Sequence, residues 1–385
     1  MNNSVSSAIQ ELNKSPIFAL SLGGKELSHS NFWKWLIDLE IGDEHPHPFI
    51  EVFMPGFYKN GFVFTNVKRE EGNRDISIHF DDNEGNPKCF VIENKLKSIP
   101  TEKQLKKYTG DLEEKFGGGL LTGLRETLKL SSDGEWDFRD YDHIADDIER
   151  INERYKDENE KNYYYIRDYV ENIRNISEVI NGRIEEQKDI YVWEDNELDE
   201  IKLADIFLKH QAEVFKNEIE ASIKKDKKNY KTKWGDPFVY TSFNNKKPTI
   251  TVIYQEKDDK KKKDDDFEAG EIGRIGIQIE GKEFRLYAGP SKEGNIAFEF
   301  DKLRDLDWFE EFDYKKSKKI DNKKTSMEGG REDKRFCQYK KNNYKHMYQY
   351  WNIDKGTPYE NLIKEILKKL KDAKKIIDAS ELSFK

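Results

Sequence analysis

Cysteine is scarce in this sequence, with only Cys89 and Cys337 among 385 residues. Neither has a second Cys or a His at metal-ligand spacing, so no disulfide framework and no thiolate zinc site is expected. No run approaches the roughly 20 apolar residues that a membrane-spanning helix needs. The opening Met-Asn-Asn-Ser-Val-Ser-Ser has neither a basic cluster nor an apolar stretch, so no signal peptide is expected. These absences point to a reduced, cytoplasmic protein with no membrane partner. Hydrophobic residues are also few, at 35%, but aromatics reach 13%, so the core is expected to be rich in rings. Positive charge is in deficit: the net charge of −9 argues against non-specific coating of nucleic acid and leaves room for a local basic groove.

Against that background, the triplet Glu93-Asn94-Lys95 is the strongest positive feature. It ends an apolar strand, Phe90-Val91-Ile92. Residues 75–80, Asp-Ile-Ser-Ile-His-Phe, alternate like a second strand, and 81–87, Asp-Asp-Asn-Glu-Gly-Asn-Pro, are turn formers. A hairpin symmetric about residue 84 puts Asp75 opposite Glu93. Directly opposed residues share a sheet face, with Cβ atoms roughly 4.5–5.5 Å apart. Lys95, two residues on, faces the same way. Ile76, Ile78 and Phe80, with Phe90 and Ile92, are then expected to fill the opposite face as core. Two carboxylates and an ammonium at one point suit metal-assisted phosphodiester hydrolysis. A solvated hairpin end with Lys95 as counterion accounts for the triplet equally well when it is taken alone.

The flanking segments add to it. Residues 25–40 have a helical pattern, with Phe32, Trp35, Leu36 and Leu39 as the expected buried stripe. Glu26 lies in the first turn, where an acid is favoured by the helix dipole even without a function. Residues 101–115 also look helical, with Thr101 as N-cap after Pro100. Gln104 and Tyr108, four apart, are neighbours on one face.

Glu26, Asp75, Glu93-Asn94-Lys95 and Gln104-Leu-Lys-Lys-Tyr108, in that order, resemble the PD-(D/E)XK nuclease superfamily. The Gln-x-x-x-Tyr element is similar to that of RecB-like nucleases. The Glu-Leu-Ser-His-Ser opening, the Trp-rich helix and the later Trp136-Asp-Phe-Arg-Asp-Tyr-Asp-His-Ile stretch resemble a prokaryotic family of that superfamily. The resemblance covers about the first half of the chain. Arg74 stands where the superfamily name has proline. The resemblance implies an α/β, restriction-endonuclease-like αβββαβ core with a mixed central sheet flanked by helices. It implies that Asp75, Glu93 and the Asn94 carbonyl hold Mg²⁺ or Mn²⁺, with Glu26 joining through water or a second ion. Lys95 would orient or help deprotonate the attacking water, and Gln104 and Tyr108 would position the lysine or the phosphate backbone. The implied product has a 5′-phosphate and a 3′-hydroxyl. The implied substrate is DNA, with RNA as the alternative, in defence against foreign DNA or in DNA processing. A non-catalytic binding module on the same fold is the competing class, and the intact carboxylates and lysine count against it.

Along the chain, 1–195 is expected to be the nuclease domain and 196–385 an α+β accessory domain for substrate or partner recognition. Within the first, Gly117-Gly118-Gly119 reads as a break before a strand at 120–130, and helices are expected at 140–152 and 160–182. Within the second, a helix is expected over 197–225, strands at 238–243, 249–255, 273–280, 283–288 and 297–300, and a last helix over 359–377. Two basic runs stand out: 222–233 has six lysines against Asp226, and 313–345 has twelve Lys and Arg against five acids, with Phe336, Tyr339 and Tyr344 between them. Lysines that neutralise phosphates beside aromatics that stack on bases suit a nucleic acid, although a solvated charged face has the same composition. The mixed-charge run 256–266 reads as a solvated loop. His45-Pro-His47-Pro reads as a stiff loop and not as a metal pair. No protein partner or second copy is indicated.

Overall fold

The computed structural model of the chain describes residues 3–20, 25–97, 101–128, 130, 134–244, 247–257, 271–290, 308, 337–339 and 344–379. The chain divides into two compact units, Met1–Glu186 with Leu198–Phe207, and Gln187–Glu197 with Leu208–Lys385. Among the described residues no helix is long and apolar enough to cross a membrane.

The first unit begins with α1 (Asn3–Lys14), α2 (Pro16–Ala19), α3 (Glu26–Asp38) and α4 (Ile50–Phe53). Three strands follow, β1 (Val63–Arg69), β2 (Ile76–Asp81) and β3 (Pro87–Lys95), and then α5 (Glu102–Leu112). After them come β4 (Phe116–Gly123), β5 (Trp136–Asp140), α6 (Tyr141–Arg154) and α7 (Glu160–Glu186). The sheet runs β1-β2-β3-β4-β5, antiparallel up to β3 and parallel beyond it. A parallel pair needs a crossover, and α5 supplies it between β3 and β4. The order α3-β1-β2-β3-α5-β4 is the αβββαβ arrangement of a restriction-endonuclease-like fold.

The hairpin has the expected register: Ile76 lies opposite Ile92 and Asp81 opposite Pro87. Both of its faces are covered, however, where a single core face was expected. Ile76, Ile78, Phe80 and Ile92 are buried on one side, and Ser77, Cys89, Val91 and Glu93 are buried on the other. Leu105 and Tyr108 of α5 pack with Cys89, Val91, Leu121 and Trp136 over this second face. Phe90 is only half-buried.

Two local expectations fail for physical reasons. On α3 the buried residues are His29, Ser30, Trp33, Leu36 and Ile37. Phe32, Trp35 and Leu39 are half-buried, because α3 is covered from two directions and its apolar rings do not all point at the sheet. The three glycines do not end an element either, since they lie inside β4. Gly119 is required there by close approach: a Cβ would stand 2.6 Å from the Trp136 ring. Trp136 thereby lies across β4 and donates from Nε1 to Thr109 Oγ1 on α5 at 3.2 Å. Gly119→Ala is expected to cost about 1–3 kcal/mol by overpacking, read as a lower denaturant midpoint with an unchanged slope.

The helix expected over 197–225 is two helices, α8 (Asn196–Glu200) and α9 (Ala204–Lys225). Between them Lys202 takes a φ of 63°, which an α-helix does not allow.

The second unit contains the strands β6 (Phe238–Asn244), β7 (Lys247–Lys257), β8 (Glu271–Glu280), β9 (Glu283–Pro290), β10 (Cys337–Tyr339) and β11 (Tyr344–Asn352), and the helix α10 (Tyr359–Ala379). They form an antiparallel sheet in the order β10-β11-β9-β8-β7-β6. Ile250, Val252, Tyr254, Ile275, Ile277, Ile279, Phe284 and Leu286 share one buried cluster with Phe215 and Ile219 of α9 and Ile366 and Leu370 of α10. Gly281-Lys282 is the two-residue turn expected between β8 and β9, with Gly281 at φ 55°. The expected strand at 297–300, residues 258–266 of the mixed-charge run and most of the basic run 313–345 lie outside the described residues.

Candidate active site

The site forms where β3 ends. Alternation along β3 turns Glu93 and Lys95 towards α5 and Asn94 towards α3. Lys95 Nζ pairs with Glu93 Oε1 at 2.5 Å. Asp75, just before β2, extends the hairpin register to the place opposite Glu93, and its Oδ2 accepts from the Asn94 backbone N–H at 2.8 Å. The register therefore brings both carboxylates and the ammonium together.

Glu26 comes from the far side of the sheet. It occupies the first turn of α3, and its Oε1 accepts from the Lys97 backbone N–H, just past the end of β3. It is near enough for its charge to act on both Asp75 and Lys95.

α5 holds Gln104 in place from its first turn. Thr101 caps the helix, accepting from Gln104 N at 3.2 Å. Gln104 Nε2 reaches Glu93 Oε1 at 2.7 Å and the Tyr108 hydroxyl oxygen at 2.8 Å. Tyr108 donates to the Asn73 carbonyl at 2.7 Å, tying α5 to the β1–β2 turn. The contact made by this pair is thus with Glu93, and Tyr108 is itself buried.

The electrostatics follow from burial and crowding. Burial, then the charge of Asp75, lifts the Glu93 carboxyl from 4.5 to about 7, against the pull of Lys95. Asp75 is also raised by burial, against the Asn94 N–H and Lys95. For Lys95, burial works to lower the value, but Glu93, Asp75 and Glu26 outweigh it and hold it above the ordinary lysine range. A raised acid and a raised base in one ion pair look contradictory. They agree once the cluster is counted whole: several acids share one ammonium, so Lys95 keeps its proton and Glu93 is first to lose its charge.

Sequence reasoning missed the support beneath the triplet. The Asn94 side chain is fully buried. Its Nδ2 donates to the Glu26 carbonyl at 3.1 Å and to Ser30 Oγ at 3.3 Å. Its Oδ1 accepts from the Tyr141 hydroxyl and from Thr122 Oγ1. Asn94 thus pins α3, β4 and α6 to the strand whose N–H holds Asp75. Tyr141 lay within the Trp136–Ile144 stretch that resembled the family, but nothing in that pattern says which strand it reaches. Arg74, in the proline position, is buried and donates from Nε to Ser77 Oγ at 3.1 Å. His45 stacks on Tyr58 at 4.3 Å and the His47 ring lies 4.4 Å from Phe64, as loop residues do.

The donor set fits a hard divalent cation. Glu93 Oε1 takes donors from Lys95 and Gln104, while Oε2 is buried with no hydrogen-bond partner. A buried carboxylate oxygen outside these hydrogen bonds, in a carboxylate raised by a neighbouring acid and helped only by the Asp75 backbone, is short of positive charge. Among the described residues no three His, Cys, Asp or Glu side chains form a ready-made cage. Mg²⁺ does not need one, since it binds through one or two carboxylates and keeps several waters.

The family model described as "PD-(D/E)XK nuclease superfamily" matches residues 17–192. No curated protein and no solved structure matches the chain. The matched segment contains the mixed five-stranded sheet and every residue of the cluster. Residues 17–192, a little under half of the chain, therefore resemble the PD-(D/E)XK nuclease superfamily, whose nucleases generally use divalent metal ions.

Proposed function

We propose that this protein hydrolyses phosphodiester bonds in DNA, using Mg²⁺ or Mn²⁺ held by Asp75, Glu93 and the Asn94 carbonyl, with Glu26 joining through water. The observation that carries this reading is the state of Glu93. One oxygen is held by Lys95 and Gln104, and the other is buried outside those hydrogen bonds, with the Asp75 backbone as the one further donor acting on the carboxylate and the Asp75 charge opposing it. The cation, when bound, supplies an activated water and polarises the scissile phosphate.

The chain's own residues do the rest. Lys95, held protonated, is an electrostatic donor to the non-bridging phosphate oxygens and not the resident base. Gln104, locked through Tyr108 to the β1–β2 turn, keeps Glu93 from swinging towards solvent. Asn94 keeps the Asp75 carboxylate at the strand end. Trp136, lying over Gly119, backs α5.

The accessory role of residues 196–385 is part of the proposal. The lysines of the 222–233 run, on the last turn of α9 and the segment after it, support a strand-holding function for the second unit. A place in defence against foreign DNA or in DNA processing rests on the superfamily reading alone, and a cytoplasmic location on the scarcity of cysteine and the lack of a signal-like or spanning segment in the sequence. The test is cleavage of linear, circular and single-stranded DNA, and of RNA, by purified protein with Mg²⁺ or Mn²⁺. DNA fragments bearing 5′-phosphates are expected. Cleavage of RNA alone would move the substrate, and no cleavage of any polymer would overturn the reading.

A further inference from the structure

A cavity of about 360 Å³ opens between α3 and α7, within the range of small-ligand sites. Its walls are aromatic. Phe32 and Tyr169 stack with ring centroids 3.7 Å apart and planes 18° apart. Trp35 stands edge-on to Tyr165 at 6.0 Å, and Phe32 lies 5.2 Å from Trp35. Tyr165 is 49% exposed, a large ring left at the rim.

Asn172 lines the same cavity, and it is 1% exposed. Neither its carbonyl oxygen nor its amide nitrogen has a hydrogen-bond partner. Buried amides in native proteins are almost always satisfied, so a side chain with both ends bare calls for a partner. An aromatic slot with one donor and one acceptor side by side suits a planar heterocycle that presents the complementary pair on its edge. Nucleobases do this, and Asn pairs two-pronged with adenine. Bases also stack on aromatic side chains, as in single-strand recognition.

The cavity and the cluster at the end of β3 share the helix α3. Ser28 and Asn31 of its wall lie on α3, directly after Glu26. Arg69 donates to Asn31 Oδ1, and the charge of Arg69 acts on Asp75. Phe32 is six residues beyond Glu26, about 9 Å along the helix axis at 1.5 Å per residue.

We propose that the cavity between α3 and α7 accepts one unpaired nucleobase of the strand being cut, stacked among Phe32, Trp35 and Tyr165 and read at its edge by Asn172. This deepens the nuclease reading and rests on it for the identity of the strand. It makes single strands, or duplexes with unpaired bases, the preferred substrates, because a paired base cannot enter.

The experiment separates the two readings by measuring binding without any divalent ion. The full chain is titrated into labelled single-stranded DNA containing 2-aminopurine, into fully paired duplex, and against adenosine monophosphate. Quenching of the 2-aminopurine on binding is expected, with single strand held more tightly than duplex. Tyr165→Ala at the exposed rim and Asn172→Leu are each expected to weaken single-strand binding about tenfold. Tyr165→Ala keeps the test open should Asn172→Leu fail to fold. Equal single-strand affinity in wild type and Tyr165→Ala would overturn the proposal. Tight binding of the free nucleotide with unchanged strand binding would overturn the strand as the source of the base. A protein that binds the single strand in this way yet cuts nothing would leave the pocket standing and remove the nuclease reading.

Discussion

Replacing Lys95 with alanine is expected to lower the cleavage rate by about 10²–10³-fold, the usual cost of losing one preorganised donor to a developing oxyanion. Uptake of Mn²⁺ at pH 8.5 is expected to survive. The Lys95 side chain is 12% exposed and its Nζ lies 2.5 Å from Glu93 Oε1. It is the cation that the surrounding acids keep protonated. Removing it takes away a positive charge that competes with a metal ion for the same carboxylate, so the acids lose nothing as ligands. Transition-state stabilisation is lost and ligand binding is kept.

The two readouts together make this prediction specific. Calorimetric titration with Mn²⁺ measures the ligands, and turnover of a labelled oligonucleotide measures the donor. Loss of both in Lys95→Ala would mean that the lysine merely holds the site together. Loss of neither would remove it from the mechanism. A resident base at Lys95 would also require a rate that climbs as lysine deprotonates. The acids around Lys95 push that limb above the ordinary lysine range, so none is expected at neutral pH.

The sequence was most informative where chemistry is local. The hairpin register followed from one turn cluster, since the side-chain period of 2 leaves no freedom once the turn is centred. The N-cap at Thr101 and the Gln104–Tyr108 spacing were readable for the same reason. What stayed hidden depends on contacts between distant segments. Asn94 is one residue of a triplet, and its importance shows only when Ser30, Thr122 and Tyr141 converge on it. The buried side of α3 was misjudged because hydrophobicity alone ranks Phe32 and Trp35 above His29 and Ser30. The fold instead buries Ser30 against Asn94 and His29 against Tyr169 and Tyr141, and leaves the Phe32 and Trp35 rings lining a cavity. The glycines of β4 read as a break because a glycine run carries no sign of the Phe80, Phe90 and Trp136 rings that stand over them.

Glu93→Gln is expected to abolish metal uptake and cleavage while making the metal-free protein more stable at pH 8. The carboxyl of Glu93 is lifted from 4.5 to about 7, chiefly by burial and then by Asp75. Between those two values the folded chain binds more protons than the unfolded chain, so stability falls as pH rises through that window and levels off above about 7. Glutamine has the shape of the protonated acid and cannot ionise, so it removes the part of the slope that Glu93 contributes. The variant should therefore melt above wild type at pH 8, with the difference closing as pH falls towards 4.5. Each kcal/mol is worth roughly 2–4 °C in a unit of this size. Adding Mn²⁺ at pH 8 should raise the melting temperature of wild type and leave Glu93→Gln unmoved, since only a ligand that binds the folded state stabilises it. A variant that melts below wild type at pH 8 would show that the pairing of Lys95 with Glu93 outweighs burial. The buried Oε2 would then belong to a settled ion pair, and the case for a cation site at Glu93 would fail with it.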